Sequence, residues 1–232
     1  MTFAAAWAHA RDVEGWLTEA QARRLHTAAS AVAPGGRVVE IGSFRGRSAI
    51  VLAGAGVDEV VCIDPHAGSD RGPQEIAADA DRGEADVRTF RANLQRAGVD
   101  ERIRHVRAFS GEALAAVAGE LDVLFVDGAH RFGPAREDIV RWGGRVRPGG
   151  RMLVHDSFSS VGVTLALATT TLSPRGRWRY AGRDGSLAEF ERTGAGGWAS
   201  TVAQLRQLPW FAANVVRKVL ILARVRSGPW PY

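Results

Sequence analysis

A short apolar segment that ends in a carboxylate is the most informative chemical feature of this sequence. Asp127 closes the run Leu-Asp-Val-Leu-Phe-Val-Asp, and His130 follows it in Asp-Gly-Ala-His. A carboxylate directly after a buried strand faces the crevice above a parallel sheet, where it is costly unless it binds something. Imidazole has a pKa of about 6.5 and can remove a proton at neutral pH. Asp127 and His130 are therefore candidates for proton transfer or ligand binding.

A second pair of oxygen-bearing side chains follows the next apolar segment. Asp156 and Ser157 come directly after Arg-Met-Leu-Val-His. These side chains offer the hard oxygen atoms that Mg²⁺ prefers, so binding of a metal near Asp127 is one interpretation. The alternative is that both aspartates orient His130 or a cofactor without a metal. Since side chains alternate along a strand, we interpret His155 as a packed core histidine.

The segment from Glu40 to Gly46, Glu-Ile-Gly-Ser-Phe-Arg-Gly, predicts a strand-to-helix turn that binds a ligand. Gly42 and Gly46 allow a tight turn and a close approach of the ligand. The start of the following helix, near Ser48, offers free N–H groups to an anion. The turn is not G-x-G-x-x-G, which counts against a dinucleotide site. Asp64 ends the second strand, where an acid binds ribose hydroxyls or caps a helix.

The elements that must position these residues alternate between apolar strands and helical patterns, which predicts a parallel sheet covered by helices. The predicted strands are residues 37–41, 60–64, 103–107, 121–127 and 151–155, and a hairpin is predicted around Asp184-Gly185. The predicted helices are residues 45–54, 84–98, 110–118 and 134–142, with an earlier helix from Thr18 as N-cap to about Ala33. The long polar connection from Pro65 to Gly83 is typical of a lid or a binding loop.

Composition excludes several classes of protein. The chain has 232 residues, of which 46% are hydrophobic and 24% charged, so a disordered or fibrous protein is excluded. No uncharged apolar run reaches the ~18–20 residues of a membrane span, and no secretory signal is visible. The single cysteine, Cys62, rules out an intrachain disulfide and a four-cysteine zinc site. We therefore expect a cytoplasmic protein.

The net charge of +5 belongs to the C-terminal stretch. From Arg192 onward the chain has six basic and no acidic residues, so residues 1–191 carry 24 basic and 25 acidic residues, a net charge of −1. We predict a domain over residues 1–197 and a basic, apolar extension over 198–232, with a helix from Pro209 to about Arg226. This helix would pack on the domain or across a homodimer with its arginines in solvent, or lie on an anionic membrane as a peripheral contact.

Four segments, in order, resemble a known family. They are Glu-Ile-Gly-Ser-Phe-Arg-Gly-Arg-Ser, Val-Cys-Ile-Asp-Pro-His, Leu-Phe-Val-Asp-Gly-Ala-His and Pro-Gly-Gly-Arg-Met-Leu-Val-His-Asp. Between Leu17 and Arg192 the chain resembles class I S-adenosylmethionine-dependent methyltransferases, in particular the small O-methyltransferases that include catechol, caffeoyl-CoA and bacterial natural-product enzymes. The resemblance implies an α/β fold, a Rossmann-like doubly wound sheet of seven strands. That sheet would be mostly parallel with one antiparallel strand near the C-terminal edge, and helices would cover both faces.

The resemblance also implies roles for particular residues. Asp64 would bind the ribose, and Phe109 and Ser110 would meet the adenine. In the cation-dependent branch the position of Asp127 is a magnesium ligand joined by an Asp-Asn pair, here Asp156-Ser157, and His130 stands where catechol-type enzymes have a lysine base. The residues that would hold the methionine part of the cofactor are Glu40, Gly42, Ser43, Gly46 and Ser48.

These implied roles describe an enzyme that methylates an oxygen of a small hydroxylated metabolite such as a sugar or a phenol. Its cofactor would be S-adenosylmethionine, with His130 and Asp127 as catalytic residues and Mg²⁺ as an alternative activator. Two other functions stay open: a non-catalytic cofactor-binding or interaction module on the same fold, and an NAD-dependent oxidoreductase. We expect no nucleic-acid partner, because the core has neither a clustered basic face nor an N/D-P-P-Y type motif.

Overall fold

A mixed sheet of seven strands forms the centre of the protein. The structure is a computed structural model and describes residues 1–69, 77–223 and 225. The strands are β1 (Val38–Ile41), β2 (Val60–Ile63), β3 (Ile103–Val106), β4 (Leu121–Val126), β5 (Val146–Val154), β6 (Trp178–Asp184) and β7 (Leu187–Arg192). Their spatial order is β3-β2-β1-β4-β5-β7-β6.

The direction of the strands confirms the predicted fold class. β1 to β5 pair in parallel, and β7 lies antiparallel between β5 and β6. The strand order reverses between β1 and β4, which places a crevice at the carboxyl ends of these two strands. This crevice is where the predicted site residues are expected to meet.

Helices cover both faces of the sheet. In the described residues they are α1 (Phe3–Ala10), α2 (Glu19–Ser30), α3 (Arg47–Gly54), α4 (Ala80–Ala97), α5 (Ser110–Ala113), α6 (Phe132–Arg141), α7 (Val161–Thr170), α8 (Gly197–Leu205) and α9 (Leu208–Leu222). The predicted cap of α2 is confirmed, because Thr18 and Gln21 form a capping box.

Alternation along each central strand separates two hydrophobic layers. Val38 of β1 packs in the layer beneath α2 and α3, whereas Val39 packs in the opposite layer beneath α6 and α7. All four residues of β1 are buried, as expected for a strand covered on both faces. The sheet is therefore a rigid platform whose carboxyl edge can hold side chains in fixed positions.

Several predicted boundaries differ from the structure. β5 begins at Val146 rather than residue 151, because Pro148-Gly149-Gly150 continues the strand after a register shift against β4. The predicted helix 110–118 is a single turn followed by a 3-10 turn, and the predicted list lacks α1, α7 and α8. In the connection from Pro65 to Gly83, residues 70–76 lie outside the described residues, and residue 80 already belongs to α4.

The C-terminal helices pack on the rest of the protein. The hydroxyl of Ser200 in α8 accepts a hydrogen bond from the backbone N–H of Tyr180 in β6. In α9, Trp210 and Phe211 pack against the hydrophobic layer beneath α6 and α7. The described helix ends at Leu222, whereas residues 224 and 226, predicted to extend it, lie outside the described residues. The domain boundary at residue 197, the homodimer and the membrane contact remain predictions.

The described part of the chain contains no helix that could cross a membrane. None of its helices combines the length and the apolar character that crossing a bilayer requires.

Candidate active site

A cavity of about 310 Å³ opens at the carboxyl ends of β1, β2 and β4. The turns after these strands form its floor, as expected at the point where the strand order reverses. Most of the predicted site residues line it: Gly42, Ser43, Ser48, Asp64, Phe109, Ser110, Asp127, His130 and Asp156. Glu40, Gly46 and Ser157 do not line it.

The turn after β1 brings two strands into close contact. Gly42 has φ +85°, and a Cβ at this position would lie 2.2 Å from the backbone oxygen of Asp127. Gly46, at φ +88°, is the N-cap of α3 and provides no side-chain cap to the helix. The start of α3 therefore presents backbone N–H groups that a bound anion could use.

Asp64 holds the shape of this turn. Its carboxylate accepts hydrogen bonds from the backbone N–H groups of Ser43 at 2.9 Å, Phe44 at 2.8 Å and His66 at 2.7 Å. Phe44 and His66 both have positive φ, at 43° and 47°, a conformation that is costly for non-glycine residues. His66 Nε2 also donates to the Phe44 carbonyl at 2.8 Å. Asp64 thus shapes the cavity wall in addition to lining the cavity.

Glu40 lies fully buried beneath the turn. The Cys62 thiol donates to its Oε2 at 3.1 Å, and burial raises the pKa of Glu40 to about 7. Within the described residues, Glu40 Oε1 and the Ser43 hydroxyl are buried without a hydrogen-bond partner. Ser43 lines the cavity, so its hydroxyl is available to a polar ligand there, whereas Glu40 lies beneath the turn.

At another part of the cavity, Phe109 and Ser110 follow β3. Phe109 is 58% exposed, so its ring is available to a planar ligand rather than part of the core. Ser110 is the first residue of α5, and its hydroxyl donates to Asp138 of α6 at 2.5 Å. Burial raises the pKa of Asp138 to about 6. Asp138 also lines the cavity.

Four ionisable side chains form a compact cluster where β4 and β5 end. His130 Nε2 lies 2.6 Å from Asp156 Oδ2. His155 Nδ1 lies 3.1 Å from Asp127 Oδ1 and 3.4 Å from Asp156 Oδ2. Two carboxylates and two imidazoles are thus joined in one network.

The network shifts the pKa values of its members. Burial acts to lower the pKa of His155, but the Asp127 charge and hydrogen bonds to Asp127 and Asp156 outweigh it and raise that pKa to about 10. Burial likewise opposes the charged form of His130, yet its hydrogen bond to Asp156 raises its pKa. Burial disfavours the Asp156 anion, but the two imidazoles keep the pKa of this carboxyl well below its usual range. The cluster therefore holds Asp156 as an anion at neutral pH.

His155 is more than a packed core histidine. His155 is buried, as predicted, but it also lines the cavity beside Asp156. β5 ends at Val154, and Asp156 has φ +56°, so the strand alternation stops before this pair. A left-handed backbone is more accessible to Asp than to most residues, and here it turns both side chains toward the same network.

The predicted metal site needs a correction. The Ser157 side chain is fully buried, and its hydroxyl donates to the Val154 carbonyl at 2.7 Å instead of lining the cavity. Among the described acids, histidines and cysteine, the group that could surround an ion is Asp127, His130 and Asp156. Both carboxylates of this group are already paired with imidazoles, and one of the three ligands would be nitrogen. Because Mg²⁺ prefers oxygen ligands, these residues as arranged do not fit it.

Comparison with known proteins assigns the family. A family model described as a methyltransferase domain matches residues 39–157, which is just over half of the chain. The matched segment contains the turn after β1, Asp64 and the whole ionisable cluster. The chain belongs to this methyltransferase family.

Solved structures share the fold of this methyltransferase. The O-methyltransferase TomG from Streptomyces achromogenes, solved with S-adenosylmethionine, is 21% identical with a TM-score of 0.56, over 82% of this chain and 88% of that one. The O-methyltransferase NovP is 18% identical with a TM-score of 0.61, over 77% and 83% of the two chains. An O-methyltransferase from Bacillus cereus, solved with SAH, is 16% identical with a TM-score of 0.55, over 82% and 87%. At these identities the likeness shows the fold alone.

Sequence reasoning assigned no site role to several residues that line the cavity of the methyltransferase, among them His66, Asp138, His155 and Lys218. Asp138 belongs to the polar pattern of α6, which gives no sign of its burial. Lys218 is the only lysine of an arginine-rich chain, and that rarity was the one signal that could have drawn attention to it.

The raised pKa of His155 predicts how the stability of the protein depends on pH. Its ordinary pKa is 6.5 and its value in the folded methyltransferase is about 10, so its stabilising effect is complete below about pH 6.5 and is lost as the pH rises through 10. We expect the free energy of unfolding to fall across this interval. Urea denaturation of the wild-type protein and of His155→Gln at a series of pH values measures this free energy. The variant should lack the part of the decline that His155 causes.

The control for this experiment is His9→Gln, because His9 is exposed on α1. This variant should keep the pH dependence of the wild-type protein. Equal slopes for wild type and His155→Gln between pH 7 and 10 would show that His155 does not bind its proton more tightly in the folded state.

Proposed function

We propose that this methyltransferase transfers a methyl group from S-adenosylmethionine to a hydroxyl oxygen of a small metabolite such as a phenol or a sugar. One observation supports this most directly. In a chain of the methyltransferase family, a single cavity joins a polar turn with unpartnered buried atoms to an imidazole–carboxylate pair. The first feature suits an amino-acid-like ligand, and the second suits removal of a proton.

The residues present fit S-adenosylmethionine. The start of α3 near Ser48 and the Ser43 hydroxyl would hold the carboxylate of its methionine part, and the buried Glu40 carboxyl beneath the turn would attract its ammonium. Asp64, which already accepts three backbone hydrogen bonds, would accept one more from a ribose hydroxyl, since a carboxylate has about four acceptor sites. Phe109 would stack on the adenine.

When bound, S-adenosylmethionine supplies a methyl group already activated by the sulfonium. The chain must therefore align the acceptor oxygen and remove its proton, and positioning alone supplies several kcal/mol. His130 Nε2 binds Asp156, which leaves Nδ1 of the same ring to accept the proton. Asp156 orients this ring and stabilises the imidazolium that forms. Asp127, fixed by His155, would bind the acceptor hydroxyl.

The cofactor assignment is tested by calorimetric titration with S-adenosylmethionine, S-adenosylhomocysteine and NAD. We expect the first two to bind and NAD not to bind. Phe109→Ala should weaken binding of both by about tenfold, because stacking on a base contributes about 1–3 kcal/mol. Phe132→Ala is the matched control, since Phe132 is also exposed but does not line the cavity. Binding of none of the ligands would favour a non-catalytic module, and binding of NAD alone an oxidoreductase.

The acceptor is tested with methyl-labelled S-adenosylmethionine and a panel of catechols, simple phenols and sugars. Label should appear in a methyl ether of at least one acceptor. The same reactions with EDTA, and with added Mg²⁺, test the metal. Because the cluster does not fit Mg²⁺ as arranged, we expect the rate to be the same in both. A rate that depends on Mg²⁺ would contradict this expectation and favour a metal-assisted transfer.

A further inference from the structure

The C-terminal helix α9 reaches the cavity through a single lysine. Lys218 Nζ donates to the backbone oxygen and to the hydroxyl of Ser159, each at 3.0 Å, and the side chain lines the cavity. One helical turn earlier, the buried Asn214 donates from Nδ2 to the Phe158 carbonyl at 3.4 Å. Two polar side chains of α9 thus bind consecutive residues of one loop.

This loop, residues 155–160, connects β5 to α7 and carries Asp156. Asp156 and Phe158 both have left-handed backbones, at φ +56° and +55°. Such conformations cost about 1–3 kcal/mol each and persist only where surrounding contacts impose them. Ser159 provides one of these contacts, because its hydroxyl lies 3.4 Å from Asp156 Oδ1 and donates to it. Contacts to Phe158 and Ser159 therefore act on the position of Asp156.

The later part of α9 turns polar side chains toward the protein and apolar side chains toward solvent, unlike a helix that only covers a core. Its buried side carries Asn214 and contacts the loop through Lys218, whereas Val216, Val219 and Leu222 are each 57% exposed. A helix that only covers a core turns its apolar stripe inward. Although Trp210 and Phe211 anchor the start of α9 in the core, its later part is held by polar contacts to the loop.

We propose that Lys218 is a positioning residue of the active site, which holds Ser159, and through it Asp156, in the place that orients His130. The proposal rests on the proposed function in treating His130 as the base. Lys218 lines the same cavity as the charged and titratable side chains of the cluster, Asp127, His130, His155 and Asp156. Burial lowers the pKa of Lys218 while the Asp156 charge opposes this, so the two groups interact.

The test compares Lys218→Met, which removes the donors and the charge, with Lys218→Arg, which keeps both. Arg217→Met is the matched control, because Arg217 is the half-buried cation next to Lys218 and does not line the cavity. Amide hydrogen exchange of the peptide that spans residues 155–162 needs no acceptor. We expect exchange to be about tenfold faster in Lys218→Met and within about threefold of wild type in the other two variants.

A second measurement follows the His130–Asp156 hydrogen bond itself. A histidine N–H bonded to a carboxylate at 2.6 Å gives a strongly deshielded proton resonance, which His130→Gln identifies by its loss. This signal should broaden or disappear in Lys218→Met and persist in Lys218→Arg and Arg217→Met. Thermal unfolding of each variant establishes that the protein remains folded. A purely structural role for Lys218 would lower the unfolding temperature and leave the resonance unchanged, and that result would overturn the proposal.

Kinetics complete the test with the best acceptor of the panel. Lys218→Met should lower kcat by about tenfold while KM for S-adenosylmethionine stays unchanged, and Lys218→Arg should recover most of the loss. Unchanged loop exchange and unchanged kcat in Lys218→Met would overturn the proposal. If the wild-type protein methylates no acceptor but Lys218→Met still loosens the loop and removes the resonance, the proposed function fails while the positioning role of Lys218 stands.

Discussion

Replacing His130 with alanine should lower kcat for methyl transfer by about 100- to 10,000-fold, the usual contribution of a positioned general base. The affinity for S-adenosylmethionine should change little, because His130 belongs to the ionisable cluster and not to the turns after β1 and β2. Calorimetry and steady-state kinetics on the same preparation separate the two effects. Asp127→Ala should also abolish turnover and leave cofactor binding nearly intact. Unchanged turnover in both variants would refute the assignment of the cluster.

The pH dependence of kcat gives an independent check on His130. Because its pKa is raised above 6.5, a larger share of the imidazole is protonated at pH 7, so the rate should still increase on the alkaline side of neutrality. Asp156→Asn removes the negative charge that helps to raise this pKa. In that variant the acidic limb of the profile should move to lower pH while the maximum rate falls, because no carboxylate stabilises the imidazolium that forms.

Controls separate these effects from damage to the fold. His130→Gln keeps a hydrogen-bonding side chain near Asp156 without an imidazole, so it should be as inactive as His130→Ala. His9→Ala, on the exposed side of α1, should retain full activity. Full activity in His130→Gln would show that the side chain serves only to pair with Asp156.

The sheet was predictable because its parallel strands are buried on both faces. The run Val38–Ile41 is apolar apart from Glu40, and such runs read as strands without any periodicity. α7 shows the opposite case. Val161–Thr170 is apolar on nearly every side, so it has no helical stripe in the sequence, and only its packing against α6 defines it.

The site was predictable where chemistry follows directly from a strand end. Asp64 and Asp127 stand at the ends of β2 and β4, the two strands that flank β1, and the fold brings such ends together. Lys218 lies 59 residues after Ser159, and no local pattern links them. The Ser157 prediction was wrong for a related reason: the left-handed turn at Asp156 redirects the chain, and strand alternation cannot anticipate such a turn.

Gly42→Ala should weaken both stability and cofactor binding, because Gly42 joins the turn after β1 to the end of β4. A Cβ at Gly42 would lie 2.2 Å from the backbone oxygen of Asp127 and 2.6 Å from the carbonyl carbon of the same residue. Neither strand can yield easily, since Asp127 N–H donates to the Ile41 carbonyl at 2.8 Å and Gly42 N–H to the Ile63 carbonyl at 2.9 Å. The methyl group would therefore displace the turn, and with it the N–H groups of Ser43 and Phe44 that Asp64 holds.

The loss of folding stability expected for Gly42→Ala has two causes, and the same substitution at a second glycine distinguishes them. A left-handed backbone costs alanine about 1–2 kcal/mol, and forced overpacking adds about 1–3 kcal/mol. Gly56→Ala, at φ +94° with no atom within 4 Å of its Cβ, incurs the first cost alone. Urea unfolding should show that Gly42→Ala is less stable than Gly56→Ala. Calorimetry should show that Gly42→Ala loses affinity for S-adenosylmethionine by about tenfold or more, whereas Gly56→Ala does not. Equal effects of the two substitutions would mean that β1 and β4 do not approach this closely, and the link between the cofactor turn and Asp127 would be lost.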